Sequence, residues 1–241
     1  LEEAERRDHR KLGKQLDLFF VDEHGPGFPF FMPKGVEIFN KLQEIWRAEH
    51  KKRHYEEIKT PIMLDKELWE ISGHWFNYRE NMYTSEIDEK MYAIKPMNCP
   101  GSIIAYKNNL HSYKDLPLKY GEMGLVHRHE FSGALHGLMR VRAFTQDDAH
   151  VFCTKEQIEE QIIEIIDLYD KFYTLFGFEY NVELSTKPEK AIGSDEIWAM
   201  AEANLESALN KKGIPFKLNP GDGAFYGPKI DFKMKDSIGR I

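Results

Sequence analysis

Two long strand-like segments, residues 118–128 and 138–152, lie close together in the sequence and constrain the fold more than any other feature. Both segments are apolar, and the loop between them contains Gly133 and Gly137. Strand patterns joined by a glycine-containing loop are typical of antiparallel pairing. We therefore expect these two segments to pair with each other.

The same two segments carry a set of side chains that suits a nucleotide. Arg128 ends the first segment, Glu130 follows two residues later, and Arg140 and Phe144 lie on the second. A guanidinium group can bind phosphate through two parallel hydrogen bonds, and a phenylalanine ring can stack on a base. A carboxylate can accept a hydrogen bond from an exocyclic amine. Phe144 also fits a core position, and Arg128 with Glu130 also fits an exposed cross-strand pair.

Cys99 and His150 are two good ligands for a soft metal ion. Taken alone, a single cysteine or histidine is more often a buried structural residue than a ligand. His127, His129 and His136 cluster near the loop, and we interpret them as polar loop residues.

The rest of the chain alternates helical and extended patterns. It lacks both the G-x-G-x-x-G and the G-x-x-x-x-G-K-[ST] motifs, which disfavours a doubly wound nucleotide fold. We predict one α+β domain over residues 1–241, with an antiparallel-dominated sheet flanked by helices. The predicted helices are 1–19, 35–53, 66–71, 98–109, 154–176 and 194–212, and the further predicted strands are 28–32, 55–59, 82–85, 90–95, 178–185 and 229–234.

Composition excludes several classes of protein. With 33 Lys and Arg against 40 Asp and Glu, the net charge is −7. Proteins that bind a nucleic-acid backbone over a large part of their surface are usually basic. Two cysteines cannot form a disulfide framework, so we expect a reducing, cytoplasmic setting. No run approaches the ~18 apolar residues of a membrane span, so no membrane partner is expected. The charged start LEEAERRDHR is not a targeting peptide, and we expect the chain to be part of something longer.

Several strings resemble the class II aminoacyl-tRNA synthetases, and among them the threonine-specific enzymes most closely. Thr60-Pro61 resembles motif 1, and the segment from Arg128 to Phe144 resembles motif 2. The resemblance extends over essentially the whole chain through the strings RDHRKLGKQLDLF, SGHW, KPMNCPG, LHGLMRVRAFTQDDAHVF, LSTKPEKAIGSDE and GAFYGPKIDF.

The resemblance implies a role for each candidate site residue. Arg128 would bind the α-phosphate of ATP and the carboxylate of the amino acid, and Glu130 would accept from the adenine amino group. Arg140 would lie near the γ-phosphate, and Phe144 would stack on adenine. Cys99 and His150 would be two of three zinc ligands. The residues that would contact the amino acid or complete the active site are Met97, Gln146, Asp148, Tyr226 and Lys229.

The resemblance also implies the reaction and its partners. The expected activity joins L-threonine to ATP as threonyl-adenylate and then transfers threonine to the 3′ end of tRNA(Thr). Mg²⁺ would accompany ATP, Zn²⁺ would select threonine, and the protein would form a homodimer through motif 1. Motif 3, the third zinc ligand and the anticodon-binding domain belong downstream of Ile241 in the family, and the editing domain belongs upstream.

Two alternatives stay open at this point. A non-catalytic module derived from a synthetase, which binds a ligand or partner and regulates another process, would carry the same strings without motif 3. A related class II enzyme for proline or serine is disfavoured by Cys99 with His150, because those amino acids are not selected by this kind of zinc site.

Overall fold

A computed structural model describes residues 2–235 and divides the chain into two compact units, the first ending at Phe152 and the second beginning at Cys153. Each unit is described by itself, and the prediction of one domain over residues 1–241 stays a prediction. In chain order the helices and strands of the first unit are α1 (Glu2–Arg6), α2 (His9–Gln15), β1 (Phe19–Val21), β2 (Pro29–Phe31), α3 (Pro33–Lys52), β3 (Glu56–Glu57), β4 (Met63–Asp65), α4 (Lys66–Ile71), α5 (His74–Asn77), β5 (Thr84–Ile87), β6 (Lys90–Ile94), α6 (Cys99–Lys107), β7 (Leu118–His127) and β8 (Ala143–Phe152). Those of the second unit are α7 (Ile158–Phe176), β9 (Tyr180–Ser185), α8 (Asp195–Lys212), β10 (Phe216–Asn219) and β11 (Lys229–Met234).

The predicted antiparallel pair is present as β7 and β8. Leu118 pairs with Phe152 at one end of this ladder and His127 with Ala143 at the other. The short strand β3 pairs in parallel with the other edge of β7. In the same unit, β6 lies between β4 and β5, and both of its neighbours are antiparallel to it.

Helix α3 covers one face of the β7–β8 ladder. Trp46 of this helix is buried, and a Cβ placed on Gly121 of β7 would lie 2.9 Å from the Trp46 ring. The missing side chain of Gly121 therefore lets the helix approach the strand closely. Because successive strand residues point to opposite faces, Glu122 and Gly124 lie on the other face.

Several element boundaries differ from the prediction. The second long strand begins at Ala143 rather than at residue 138, because residues 136–140 form a tight turn in which His136 and Arg140 exchange backbone hydrogen bonds. The amide of Arg142 then donates to the carbonyl of Gly27 instead of to the sheet. The first predicted helix is two short helices, because Asp8 begins a new one by accepting the Arg10 amide.

The second unit has a three-stranded sheet with β9 in the centre. β10 pairs with β9 in parallel and β11 pairs with it antiparallel. The helix predicted over residues 154–176 is confirmed as a 3-10 turn, which Thr154 and Gln157 cap, followed by α7, which ends at Gly177 in the left-handed conformation. Both helices pack on the sheet around a core of Ile166, Val182, Leu184, Ala208 and Leu209.

Among residues 2–235, no helix combines the length and the apolar character that crossing a membrane requires.

Candidate active site

One face of β8 carries four of the predicted site residues. Phe144, Gln146, Asp148 and His150 alternate along the strand, so their side chains share one face of the sheet. The strand register places Gly124 of β7 opposite Gln146. This face of the β7–β8 ladder points away from α3, so a loop and a ligand can reach it.

The loop before α6 lies on this face, where Asn98 contacts β8. The Asn98 side-chain amide donates to Oε1 of Gln146 at 3.3 Å and to Oδ2 of Asp148 at 3.0 Å. Asn98 is fully buried, and its side chain makes no capping hydrogen bond to α6. A Cβ on Gly124 would lie 2.2 Å from the Asn98 amide nitrogen, so a glycine is required beneath it. Asn98 thus connects two predicted threonine-contacting residues to the segment that carries Cys99.

Cys99 is the first residue of α6 and is electrostatically coupled to the same face. The pKa of the Cys99 thiol is raised to about 11, first by burial and then by the charge of Asp148, while a backbone hydrogen bond and the Arg128 guanidinium oppose the shift. At neutral pH the thiol is therefore protonated unless a bound cation displaces the proton. His150 lies two residues beyond Asp148 on β8, on the same face.

Arg128 extends from the end of β7 across Phe144. Its Nε donates to the carbonyl oxygen of Pro96 at 3.0 Å, and its guanidinium carbon lies 5.1 Å from the centre of the Phe144 ring. The Tyr78 ring lies 5.8 Å from the same carbon. Within residues 2–235 the two terminal nitrogens of Arg128 make no hydrogen bond, which leaves a fork of donors suited to an anion.

Met97 is held by the SGHW string. Nε2 of His74 lies 3.2 Å from the Met97 sulfur, and Nδ1 lies 2.9 Å from the Ser72 hydroxyl oxygen. His74 is buried edge-on against Trp69, and burial lowers the pKa of His74. Ser72 and His74 of SGHW and the predicted site residue Met97 are thus parts of one contact network.

Glu130 and Arg140 are paired with each other in the connection between β7 and β8. Nη1 of Arg140 lies 3.5 Å from Oε1 of Glu130, and the Arg140 side chain is largely exposed. The guanidinium of Arg142 donates to the Glu130 carbonyl through Nε at 2.9 Å and Nη2 at 2.8 Å, and to the Pro26 carbonyl at 3.1 Å. Arg142 therefore fixes the backbone that presents Glu130.

A buried ion pair lies on the same face of β7. Nζ of Lys95 contacts Oε1 of Glu122 at 2.9 Å and the Thr60 hydroxyl at 2.8 Å. Glu122 also accepts from the Thr60 amide at 2.8 Å, and the side chains of Lys95 and Glu122 are 2% and 4% exposed. Since Glu122 is opposite Asp148 in the ladder, this network links the Thr60-Pro61 segment to the candidate site.

Tyr226 and Lys229 belong to the second unit. Tyr226 is exposed, and its ring lies edge-on to Phe225. Nζ of Lys229 donates to Asp231 at 2.7 Å and lies 3.5 Å from Asp222. Burial lowers the pKa of Lys229, but the two carboxylates outweigh it and raise the pKa above its usual value. Lys229 is therefore charged and neutralised locally.

In the part of the chain that the structure describes, no three His, Cys, Asp or Glu side chains converge as a metal site. Cys99 and His150 alone do not complete the coordination of a zinc ion, which takes at least three protein ligands.

Comparison with known proteins identifies the family. Residues 83–241 match the family described as tRNA synthetase class II core domain (G, H, P, S and T). The chain is 69% identical over 242 residues to threonine–tRNA ligase of Fusobacterium nucleatum, covering all of this chain and 39% of that protein. It is 63% identical over 240 residues to threonine–tRNA ligase of Carboxydothermus hydrogenoformans, with 38% of that protein covered.

This chain belongs to the class II tRNA synthetase core-domain family. The structure superposes on a crystal structure of the RNA binding domain of threonyl-tRNA synthetase from Cryptosporidium parvum with a TM-score of 0.91. The two sequences are 48% identical, and the match covers 97% of this chain and 59% of that one. The predicted α+β fold is therefore confirmed as the class II synthetase fold. The chain spans about two fifths of the length of its curated relatives.

Four residues that contact or underlie the candidate site were not singled out from the sequence. Asn98 and His74 contact predicted site residues, and Lys95 and Glu122 form the pair beneath them. Asn98 and Lys95 lie within the KPMNCPG string and His74 within SGHW, so both strings marked the right segments. Nothing in the sequence around Glu122 indicates that a carboxylate is buried there.

Proposed function

We propose that this chain is the catalytic core of a threonyl-tRNA synthetase, which activates L-threonine with ATP and transfers it to the 3′ end of tRNA(Thr). One observation carries the proposal. In a chain 69% identical to a threonine–tRNA ligase, Arg128 reaches across Phe144 with its terminal nitrogens unengaged by the described residues, beside Asp148 and Cys99.

In the activation step, a carboxylate oxygen of threonine attacks the α-phosphorus of ATP. A bond from that oxygen to phosphorus forms, the bond from phosphorus to the bridging oxygen breaks, and pyrophosphate leaves as threonyl-adenylate is formed. Both reactants are anions, so positioning and charge neutralisation lower the barrier. Arg128 would bridge the two anions, Phe144 would support the adenine ring, and Mg²⁺ would share the phosphate charge. No general base is needed, because the attacking carboxylate is already ionised.

Selection of threonine over valine requires a polar contact, because an apolar pocket separates such nearly isosteric side chains by only ~10². Asp148, held by Asn98, would accept a hydrogen bond from the threonine hydroxyl. Gln146 lies on the same face, where Asn98 donates to it, and Met97 precedes Asn98 in the chain. In this proposal the roles of Tyr226 and Lys229 and the homodimer rest on the family resemblance, and the cytoplasmic setting rests on the presence of only two cysteines.

The proposal also includes a zinc ion, which the resemblance implies. Cys99 and His150 would be two of its ligands, and the third would come from outside residues 2–235. Bound zinc would supply an open coordination position for the amine and hydroxyl of threonine. We expect zinc content to fall in both Cys99→Ala and His150→Ala and to stay unchanged in Cys153→Ala. Elemental analysis that found full zinc in either of the first two variants would reject this assignment.

Threonine-dependent exchange of pyrophosphate into ATP by the full-length gene product tests the activity. We expect exchange with threonine, and a loss of about 10²- to 10³-fold in kcat/KM for Arg128→Lys, which keeps the charge but not the fork. The matched control, Arg47→Lys on the exposed face of α3, should stay within twofold. Absence of exchange in the presence of threonine would favour the non-catalytic alternative.

A further inference from the structure

The N-terminal segment holds the connection between β7 and β8 through a histidine. The backbone amide of Leu138 donates to Nε2 of His9 at 3.0 Å, although the two residues are 129 positions apart in the chain. The His9 ring stacks on Phe19 with centroids 6.3 Å apart and lies 5.7 Å from the His136 ring. His9 thus contacts the connection through its ring and its acceptor nitrogen.

The contact between His9 and the connection requires a glycine at position 137. Gly137 has a φ of +50°, in the left-handed region that side chains disfavour. A Cβ on Gly137 would also lie 2.2 Å from Nε2 of His9 and 2.8 Å from Cγ of Arg10. The RDHR string near the start and the LHGLMR string in the connection are therefore complementary halves of one contact.

The hydrogen bond requires one protonation state of His9. Nε2 can accept from Leu138 only while it carries no proton, so neutral His9 has its proton on Nδ1, which lies 3.9 Å from Oδ1 of Asp8. Burial lowers the pKa of His9, the charge of Asp8 raises it, and His136 and Arg10 lower it. The net shift is downward, so the accepting form is present at neutral pH and is lost as the pH falls below the His9 pKa.

The connection that His9 holds carries two of the predicted ATP contacts. Leu138 lies two residues before Arg140, whose guanidinium pairs with Glu130. The N-terminal part of the chain also anchors the connection at Gly27, whose carbonyl accepts from the Arg142 amide, and at Pro26, whose carbonyl accepts from the Arg142 guanidinium. The backbone on both sides of Arg140 is therefore tied to residues that precede β2.

We propose that His9 is a positioning residue, which accepts the Leu138 amide and thereby holds Arg140 and Glu130 ready for the triphosphate and adenine of ATP. This inference rests on the proposed function, because it takes ATP as the ligand of that connection. It assigns a role to the RDHR string, which the activation step itself does not use.

The test compares three variants of the full-length gene product. His9→Phe keeps a ring against Phe19 but removes the acceptor, His9→Gln restores an acceptor oxygen, and His136→Phe is the control that changes the neighbouring ring. Amide hydrogen exchange of residues 131–142 and the calorimetric dissociation constant for ATP are measured for each. We expect His9→Phe to speed exchange at Leu138 and to weaken ATP binding about five- to tenfold, the effect of one lost hydrogen bond. His9→Gln should recover most of both, and His136→Phe should change neither by more than twofold.

A pH series adds a readout that a packing role would not change. As the pH falls from 7.5 through the lowered pKa of His9, ATP binding by the unaltered protein should weaken more than binding by His9→Gln, because only His9 loses its acceptor. Unchanged exchange at Leu138 in His9→Phe would overturn the proposal, and so would faster exchange with unchanged ATP affinity. If ATP affinity depends on His9 but pyrophosphate exchange never depends on threonine, the proposed function fails while the role of His9 stands.

Discussion

Replacing Glu122 with glutamine removes the negative charge from a buried ion pair while keeping nearly the same shape. Nζ of Lys95 lies 2.9 Å from Glu122, and the Thr60 amide and hydroxyl donate to the same oxygen at 2.8 and 2.9 Å. With side-chain exposures of 2% for Lys95 and 4% for Glu122, water cannot compensate the loss. Glu122→Gln therefore leaves the Lys95 ammonium group buried without a counter-charge.

The expected cost follows from that geometry. Removing one partner of a buried pair destabilises a protein by ~3–5 kcal/mol, and we expect the lower end, about 3 kcal/mol, because glutamine still accepts hydrogen bonds. For a unit of this size, 1 kcal/mol corresponds to roughly 2–4 °C in Tm, so Glu122→Gln should lower Tm by about 6–12 °C. Removing both charges, with Lys95→Met added, should cost less than the sum of the single changes, with a coupling of ~1–3 kcal/mol.

Urea unfolding of the two single variants and the double variant measures this coupling. The matched control is Glu57→Gln, which breaks the pair with Arg47 at 2.8 Å, where both side chains are more than 40% exposed. An exposed pair contributes only about 0–1 kcal/mol, so the control should change stability little. A cost for Glu122→Gln below about 1 kcal/mol, or additive effects in the double variant, would refute the reasoning.

Three further outcomes are expected. Gly124→Ala should lower the free energy of unfolding in urea by about 2 kcal/mol or more, because the new Cβ would lie 2.2 Å from the Asn98 amide nitrogen. The control Gly133→Ala should cost under about 0.5 kcal/mol, because no atom lies within 4 Å of its Cβ position. Burial lowers the pKa of His50 below its usual 6.5, so the unfolded state binds more protons than the folded state. The free energy of unfolding should therefore fall as the pH drops below 6.5. If urea unfolding of His50→Gln showed an equally steep dependence on pH, this explanation would be contradicted. Sedimentation of the full-length gene product should show a two-fold dimer, and a monomer at high concentration would count against the homodimer.

The sequence predicted the parts of the fold that rest on local patterns. The strand-like patterns of residues 118–128 and 138–152 indicated the β7–β8 pair, and the helical pattern of residues 154–176 indicated the helix that ends as α7. The strand β10 was missed, because four residues give too short a pattern. The extra strand residues 138–142 were predicted wrongly, because apolar residues continue there while the backbone amide of Arg142 donates to the carbonyl of Gly27.

The candidate site was predictable only where a string of residues marked it. Phe144, Gln146, Asp148 and His150 follow from the period of a strand, which places alternate residues on one face. The contact of Asn98 with Asp148 spans 50 residues and depends on the missing side chain of Gly124, so no local pattern reveals it. The burial of Lys95 was equally invisible, because a lysine near a strand end is usually exposed.

A crystal structure of the full-length gene product with a non-hydrolysable analogue of threonyl-adenylate tests the central claim most directly. We predict that the phosphate mimic lies within about 3 Å of the Arg128 guanidinium, with the adenine ring against Phe144 and the threonine hydroxyl beside Asp148. An analogue bound away from this face of β7 and β8, or bound with Arg128 making no contact to it, would contradict the proposed site.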